Sequence, residues 1–599
     1  MIYLYGCYRR SSWAALSLVV CLLAVSEVVT GQQVENIANT VTNLRDQKLR
    51  ITGGINLGSQ FYGASGIEAR RDAFQWSARA NLTFNFAGIS APFSYSFSDA
   101  NQNFNLPSYT FTGISPTYKW ATLHAGDRSM GFSKYTMSGI SFRGVGTELR
   151  PGKWKVAAFY GKLNRALESD LDAVGNLNGF YQRKGYGASV GYNGGKYSYS
   201  VNLFSANDEE DVNQITDLGQ ALQPINNKVL SLQGRHVLSK RFSVSGEVAH
   251  SVYNADKTLS ELPTSERTIG NRFFGLFMPT ESLLTGQAGN GKLFYSGKGF
   301  GAQLGYERIT RDFRTIGALF FNNDTENITA GFNKSFLKGK LNTFVNGGLE
   351  RTNLGQEDLE TTERLILAFN ANYSPSEFWN FNAGYSNFRN DTKLRAMTQV
   401  LSPVDSIFLA QVNRSANLAI SRTLGPRDNP KSLNLVLSHQ RANSIINEEV
   451  NETAASRFTT AALSFAGGSK AAALRYNAGV TFNSTEVGQI NNFTVAPTAG
   501  LSKGFWNNSL NTFLRTSLSF VSQTQGMNAI ANVGLGASYR LKNSHRINCN
   551  VNYLNRFGAD DPRRNFSEVY GQLGYGYSFG GSLGFRRRDR VATEPIPTQ

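Results

Sequence analysis

The stretch A-F-Q-W-S-A-R-A-N-L-T-F-N-F, residues 73–86, decides the fold of this chain. Apolar side chains occupy every even position from Phe74 to Phe86, and polar side chains occupy the positions between them. Because side chains of a β-strand alternate between two faces, one face of the segment is wholly apolar and the other is polar. The segment is about twice as long as an ordinary soluble strand. It predicts a strand that crosses a membrane.

The same alternation recurs along the chain in segments of about ten residues separated by turns, which is the pattern of a transmembrane β-barrel. Counting such segments from 49–62 through to 566–579 predicts an all-β fold, a transmembrane antiparallel up-and-down β-barrel of about 26 strands, with a range of about 22 to 28. An even number of strands leaves both termini on the same side of the membrane. Further segments with clear alternation are 197–203, 300–306, 474–482, 531–539 and 547–553.

The N-terminal residues carry Arg9 and Arg10, then an apolar run over 13–25, then the small-residue site 29–31. This order is that of a secretory signal peptide, which we predict over 1–31. Its apolar run is too short to span a bilayer, and no later stretch reaches the roughly 18 to 20 apolar residues of a membrane helix. The sequence therefore predicts an exported chain that crosses its membrane with strands.

The remaining chain divides into three predicted parts. Residues 32–47 place Val34, Ile37, Val41 and Leu44 at helical spacing, which predicts a short helix in the periplasm or in the barrel mouth; a poorly ordered terminal segment is the alternative. The barrel is predicted over 48–579. A basic tail is predicted over 580–599.

Predicted connections alternate between short and long along the chain. Bacterial barrels have tight periplasmic turns and longer extracellular loops. Short connections such as 151–153 and 193–195 are therefore assigned to the periplasm, and long ones such as 165–179 and 255–291 to the outside. This assignment predicts a cell outer-membrane protein of a Gram-negative bacterium with both termini in the periplasm.

The last predicted strand ends in Tyr575, Tyr577 and Phe579 on one face. It is similar to the aromatic final strand by which barrel-assembly machinery recognises its clients. The whole mature chain resembles large outer-membrane barrels of the Bacteroidota type, in which Gln often follows the signal peptide, as Gln32 would here. The resemblance implies outer-membrane lipid and the assembly machinery as partners. It is one of pattern, so it carries no functional residue with it.

Catalytic and cofactor motifs are absent from the sequence. The five histidines stand singly, and no dinucleotide fingerprint, phosphate loop or cysteine cluster occurs. The acidic run 208–211 lacks the ligand spacing and glycine of a calcium loop, so a solvated turn is the better reading. Only 32–47 precede the first strand, which is too short for the plug domain of a TonB-dependent transporter. We predict no enzyme, no metal and no cofactor.

Charge gives more information than motifs. Removing 1–31 takes away two of 60 basic and one of 43 acidic side chains, which leaves 58 against 42, a net charge of +16. The basic residues are spread over predicted inward strand positions and turns without a compact basic domain, so nucleic-acid binding is not predicted. Arg79, Arg475 and Arg515 are the candidate lumen cations. Such a lumen would favour anionic solutes.

Two connections are candidate functional inserts. The longest, 255–291, carries an apolar cluster next to Arg272, and such a cluster is costly to leave exposed. We predict either a constriction or gate folded into the lumen or a partner-binding surface; packing of an outer loop on its neighbours explains the cluster equally well. The second insert, 127–138, suits a loop at the mouth of the barrel or simple packing. The gate candidates in the first insert are Arg272, Phe273, Phe274, Phe277 and Met278.

The function predicted from these features is a passage or translocation channel in the outer membrane, gated by an inward loop and favouring anionic solutes. The alternative is a surface scaffold, adhesin anchor or secretion-machine subunit whose barrel is filled by a partner. A barrel of about 26 strands is so wide that an empty pore would breach the membrane barrier. Both readings therefore require a filler, either a loop of the chain or a partner subunit acting as a plug.

Overall fold

The computed structural model describes residues 49–99, 111–164, 181–209, 223–318, 322–355, 360–394, 407–426, 428–446, 449–523, 526–542, 544–558 and 565–583. The predicted signal peptide over 1–31, the predicted helix over 32–47 and the tail from 584 lie outside the described residues. The barrel predicted over 48–579 runs in the structure from Leu49 to Leu583. Its last strand is longer than predicted because residues 580–583 pair with the start of the first strand.

The regular secondary structure of the described residues is β-strand, apart from 3-10 turns at Thr264–Glu266 and Leu337–Gly339. No helix in the described ranges is long and apolar enough to cross a bilayer. The strand segments, numbered in chain order, are β1 Leu49–Ser65, β2 Phe74–Phe86, β3 Ile89–Ser98, β4 Phe111–Ile114, β5 Thr117–Tyr118, β6 Ala121–Ser129, β7 Ser141–Leu149, β8 Trp154–Asn164, β9 Arg183–Asn193, β10 Tyr197–Asp208, β11 Asn226–Val237, β12 Phe242–Asn254, β13 Leu283–Ser296, β14 Phe300–Ile309, β15 Thr325–Phe336, β16 Leu341–Thr352, β17 Glu360–Ser376, β18 Trp379–Leu394, β19 Ile407–Leu424, β20 Lys431–Ile446, β21 Glu449–Ser469, β22 Leu474–Val487, β23 Ile490–Phe505, β24 Leu510–Gln523, β25 Gly526–Leu541, β26 His545–Phe557 and β27 Phe566–Leu583.

Consecutive strands pair antiparallel around a closed ring. Segments β4 and β5 both lie between β3 and β6, so the 27 segments make 26 crossings. β1 pairs with β27 from Leu49↔Leu583 to Ser65↔Ser567, which closes the barrel. The predicted fold class and strand number are confirmed.

The register aligns the apolar faces of neighbouring strands. Leu57 lies opposite Ala78 on β2 and opposite Tyr575 on β27. It is 48% exposed because nothing in the chain covers it. We call the face that carries these apolar side chains the outer face, since hydrocarbon covers it in a membrane barrel, and the polar face the inner face.

The two ends of the barrel differ in their connections. The end that holds the first residue of β1 and the last of β27 has short connections, such as Ala87-Gly88 and 150–153. We call it the short-turn end. The opposite, long-loop end carries connections such as 130–140, 255–282 and 310–324.

Leu82→Arg should hinder assembly far more than Asn81→Arg. Leu82 lies opposite Phe93 on the outer face, whereas Asn81 lies opposite Ser94 on the inner face. An arginine on the lipid face near the bilayer midplane costs about 2–4 kcal/mol, and one on the inner face meets water. The fraction of heat-modifiable folded protein in membranes measures the difference. Equal loss in both variants would contradict the face assignment.

Candidate functional site in the barrel lumen

The three arginines predicted to line the lumen lie on the inner face. Arg79 lies opposite Asn56 and Ser96, and Arg475 lies opposite Ser502. The guanidinium of Arg515 lies 5.0 Å from the ring centroid of Phe513. These arginines do not converge on one point, because β22, β24 and β2 are separated around the ring.

Further arginines occupy the inner face of the same part of the wall. Arg540 and Arg546 lie directly opposite each other on β25 and β26. Like charges at directly opposed strand positions repel, so this pair lowers stability unless an anion or water lies between the two groups. The Nε of Arg556 is buried without a hydrogen-bond partner. We call this region, from β22 around to β2, the arginine sector; its members are Arg50, Arg79, Arg475, Arg515, Arg540, Arg546 and Arg556.

Residues 130–140, the connection between β6 and β7, fold inward over the wall; we call them the inner loop. Met130 and Met137 pack on Phe142, Phe159 and Phe204. The three phenylalanines are at inner-face positions of β7, β8 and β10, and their rings follow one another at centroid distances of 4.7 and 6.4 Å. An apolar patch on the inner face would be costly in water. The inner loop covers it.

The middle of the inner loop is anchored by Tyr135. Its side chain is fully buried, and its ring meets Phe313 edge-on at a centroid distance of 5.9 Å. The Tyr135 hydroxyl donates to Glu307 at 2.6 Å and accepts from the Asn290 amide at 2.9 Å. Burial and the hydrogen bond to Glu307 raise the pKa of Tyr135 well above its ordinary value, so the hydroxyl keeps its proton. Lys134 adds an ion pair with the same carboxylate.

A second stretch, 310–318, lies beside the inner loop; we call it the inner segment. The Ser138 N–H donates to the Gly317 carbonyl at 2.7 Å. Only glycine fits at 317, since a Cβ there would come within 1.6 Å of the Thr136 carbonyl oxygen. Asn227 on β11 holds the inner segment, donating to the Arg314 carbonyl at 3.1 Å and accepting from the Ile316 N–H at 3.1 Å. Together the inner loop and inner segment cover the wall from β7 to β14.

The predicted gate residues lie elsewhere, on the outer face. Phe273 and Phe277 pack against Val252, with Leu203 and Leu230 beside them. Val252 is four residues after Val248 on β12, and the strand has no bulge between them, so both side chains are on the same face. Val248 is 61% exposed on the outer face. Phe273 and Phe277 therefore do not line the lumen in this structure.

The rest of that connection follows the same face. His250 Nε2 lies 3.2 Å from the Gly270 carbonyl, and Phe274 is 67% exposed. Arg272 and Met278 are also exposed there. The connection spans 255–282, because β13 begins at Leu283 and takes up the end of the predicted insert 255–291. The expected constriction from this insert is thus corrected: an apolar loop packs on an apolar wall, and the sequence does not tell on which face.

Residues of the second insert, 127–138, provide most of the inner loop. Asp127 to Ser129 belong to β6, and residues from Met130 onward turn into the lumen. The sequence does contain a signal for this inward turn of the loop. Met130, Tyr135 and Met137 are large apolar or aromatic residues in a connection between two strands, and the wall facing them carries Phe142 at an inner position.

The acidic run at the end of β10 is paired with cations. Arg183 contacts Asp208 at 2.6 Å, and Lys184 contacts Glu209. Among the described residues no group of three or more His, Cys, Asp or Glu is placed to hold one metal ion. The described part of the run is thus a pair of cross-strand salt bridges between β9 and the end of β10.

Comparison with known proteins finds no matching family model and no matching curated protein. The solved structures similar to this chain include the PapC usher translocation pore of the P pilus, with 10% identity, coverage of 89% of this chain and 100% of that one, and a TM-score of 0.35. BauA, the ferric preacinetobactin receptor from Acinetobacter baumannii, has 11% identity, coverage of 88% and 80%, and a TM-score of 0.36. The copper transporter OprC has 7% identity, the same coverage and a TM-score of 0.31. Similarity at this level carries no argument about function.

Removing the Glu307 carboxylate should loosen the inner loop. Glu307→Ala leaves Tyr135 and Lys134 without their shared acceptor, and a hydrogen bond to a charged group contributes about 1.5–3 kcal/mol. Amide hydrogen exchange of residues 130–138 should accelerate by about tenfold or more. Glu326→Ala is the matched control, because Glu326 accepts from Tyr306 at 2.8 Å on the outer face. Equal exchange in both variants would show that Glu307 does not hold the loop.

Proposed function

We propose that this protein is an outer-membrane passage or translocation channel for hydrophilic solutes, partly filled by its own inner loop and inner segment, and favouring anions. The observation that carries the proposal is a closed barrel of 26 crossings whose inner face is polar. Barrels of 16 to 18 strands already leave a water-filled channel, and barrels of about 22 strands need a plug. The proposal assigns the protein no enzymatic activity.

The inner loop and inner segment supply part of the filler. They cover β7 to β14, and the arginine sector from β22 to β2 lies on the far side of the ring. The free passage in this proposal runs between the two. Solutes would therefore move along the arginines rather than along the covered wall.

Anion preference follows from the charge of that passage. Inward cations in a confined lumen raise the local concentration of anions. Two acidic inner-face residues beside the inner loop are paired with cations, Glu307 with Lys134 and Asp208 with Arg183. Within the arginine sector, the negative charge of Glu568 offsets part of the positive charge. Its carboxylate accepts a hydrogen bond from the Tyr62 hydroxyl at 2.5 Å and lies 3.8 Å from the guanidinium of Arg70.

Localisation and partners complete the proposal. The short-turn end, with both strand termini, faces the periplasm, and the long-loop end faces the outside, as loop lengths in bacterial barrels favour. Outer-membrane lipid covers the outer face, and barrel-assembly machinery inserts the chain. The signal peptide over 1–31 and the resemblance to Bacteroidota-type barrels, which includes Gln32, remain predictions of the sequence.

A second candidate function is a scaffold or secretion-machine subunit with a partner. We call the connection 255–282 the outer loop; its exposed apolar side chains favour this candidate, because Ile269 and Leu276 are 75% and 67% exposed. Purification from detergent separates the two readings: a stoichiometric partner subunit supports the scaffold, and a monomer that conducts ions supports the channel.

Replacing Arg79, Arg475 and Arg515 together by Gln should shift ion selectivity toward equal permeability of anions and cations. The change removes positive charge from the passage and leaves the wall intact. The reversal potential across a planar bilayer with a salt gradient measures it. The matched control replaces Arg351, Arg422 and Arg457, which are at outer-face positions of β16, β19 and β21, by Gln. Unchanged selectivity in the lumen variant would contradict the anion proposal.

Deletions of equal length in the inner and outer loops should affect conductance differently. Residues 133–136 can be removed because Phe132 N–H already bonds the Met137 carbonyl at 3.0 Å, and residues 273–276 because Phe277 N–H bonds the Arg272 carbonyl at 2.9 Å. The inner deletion should raise single-channel conductance, since it removes Tyr135 from the lumen. The outer deletion should leave conductance unchanged. If only the outer deletion raised the conductance, Phe273 and its neighbours would be the gate, as the sequence predicted.

A further inference from the structure

The inner wall repeats one cross-strand arrangement, a glycine directly opposite an amide side chain. Gly301 lies opposite Asn333 and Gly331 lies opposite Gln303 on the β14–β15 pair. A Cβ at either glycine would come within 2.6–2.7 Å of the facing amide group. The same pairing, with distances of 2.4–2.8 Å, occurs at Gly384↔Asn417, Gly500↔Asn477, Gly534↔Asn552, Gly536↔Asn550 and Gly576↔Asn56.

This arrangement holds the amides flat against the wall. Without a Cβ, each glycine leaves room for the facing amide to lie over its backbone. An amide both donates and accepts hydrogen bonds and carries no charge. The result is a wall of oriented, neutral hydrogen-bonding groups.

One part of this wall forms a groove of about 680 Å³ between β13 and β17, near the short-turn end. Phe294 and Phe344 are on its inner-face lining, and Phe344 is 43% exposed. Lys334 also borders the groove, but its position in β15 is on the outer face. The inner-face amides of the groove are Gln303, Asn333, Asn342, Asn370 and Asn372.

We propose that this groove binds a neutral oligosaccharide segment. Sugar hydroxyls donate and accept hydrogen bonds as amides do, and the apolar C–H face of a sugar ring can pack on a phenylalanine ring. Charged inner-face side chains, which an ionic ligand would need, do not line the groove. The proposal rests on the passage function and names its substrate class, a carbohydrate chain.

The remaining glycine–amide pairs extend this role around the lumen. Transport requires sites that bind strongly enough to admit the solute and weakly enough to release it. Shallow amide pairs on β18–β19, β22–β23, β25–β26 and β27–β1 meet that requirement, since each offers few contacts. Several of these pairs lie within the arginine sector, so a chain bearing acidic substituents would meet cations beside neutral hydrogen-bonding groups.

The test compares blockage of the channel by maltohexaose and by a poly(ethylene glycol) of the same hydrodynamic size in planar bilayers. Maltohexaose added on the short-turn side should block the wild-type current at lower concentration than the polymer. Phe344→Ala and Asn333→Ala should each weaken the sugar block by about tenfold, which corresponds to 1.4 kcal/mol. Phe332→Ala is the matched control, because Phe332 is on the outer face of β15. It should leave the block unchanged.

A second measurement separates failure of this inference from failure of the channel. Saturation-transfer NMR detects maltohexaose binding to the detergent-solubilised full chain whether or not it conducts. A conducting protein in which sugar and polymer block equally, or in which Phe344→Ala has no effect, overturns the groove and leaves the channel standing. A silent protein that shows sugar signals lost in Phe344→Ala supports the groove and overturns the channel. Absence of both current and sugar signals overturns both.

Discussion

Backbone hydrogen bonding in the hydrocarbon layer is the constraint on which this structure depends. Lipid offers no partner to a backbone N–H or C=O group, and each unpaired group there costs several kcal/mol. The sheet meets this constraint only by closing. The pairing of β1 with β27 over their full length removes both edges at once. Closure also separates an inner face from an outer face, and at 26 crossings it encloses a lumen wide enough to need a filler.

Closure divides the side chains of every strand between two solvents. Outer-face residues such as Leu57 and Leu535 are only about half covered by the chain, at 48% and 54% exposure, and the rest of their burial would come from lipid. Fully buried large side chains occur where loops return to the wall, as at Tyr135, Phe204 and Phe313. Tight packing thus occurs where inward loops contact the inner face of β7 to β14, and again where Phe273 and Phe277 contact the outer face.

The lumen in consequence has surfaces of different chemistry. The arginine sector supplies fixed positive charge, and the groove between β13 and β17 supplies neutral amides and the exposed ring of Phe344. Charge concentrates ions from a distance, whereas oriented amides act only on contact. In the proposed channel, a lumen with both surfaces would draw in a solute and then guide it along the wall. The glycine opposite each amide is what keeps these groups from narrowing the passage.

The sequence by itself determined the barrel, its strand number and the inner positions of Arg79, Arg475 and Arg515, because a period of two fixes which face each residue takes once the lipid face is known. It did not determine the path of the loops. The clusters around Phe273 and Met137 are both apolar segments in long connections, yet the first packs on the outer face and the second on the inner face. Only the tertiary structure decided this, because each receiving patch, Val252 with Leu230 and Phe142 with Phe204, is assembled from different strands, and no pattern within a loop encodes which patch that loop meets. The sequence did not predict the glycine–amide pairs for the same reason. The two residues of each pair face each other only because of the strand register, which no local pattern encodes.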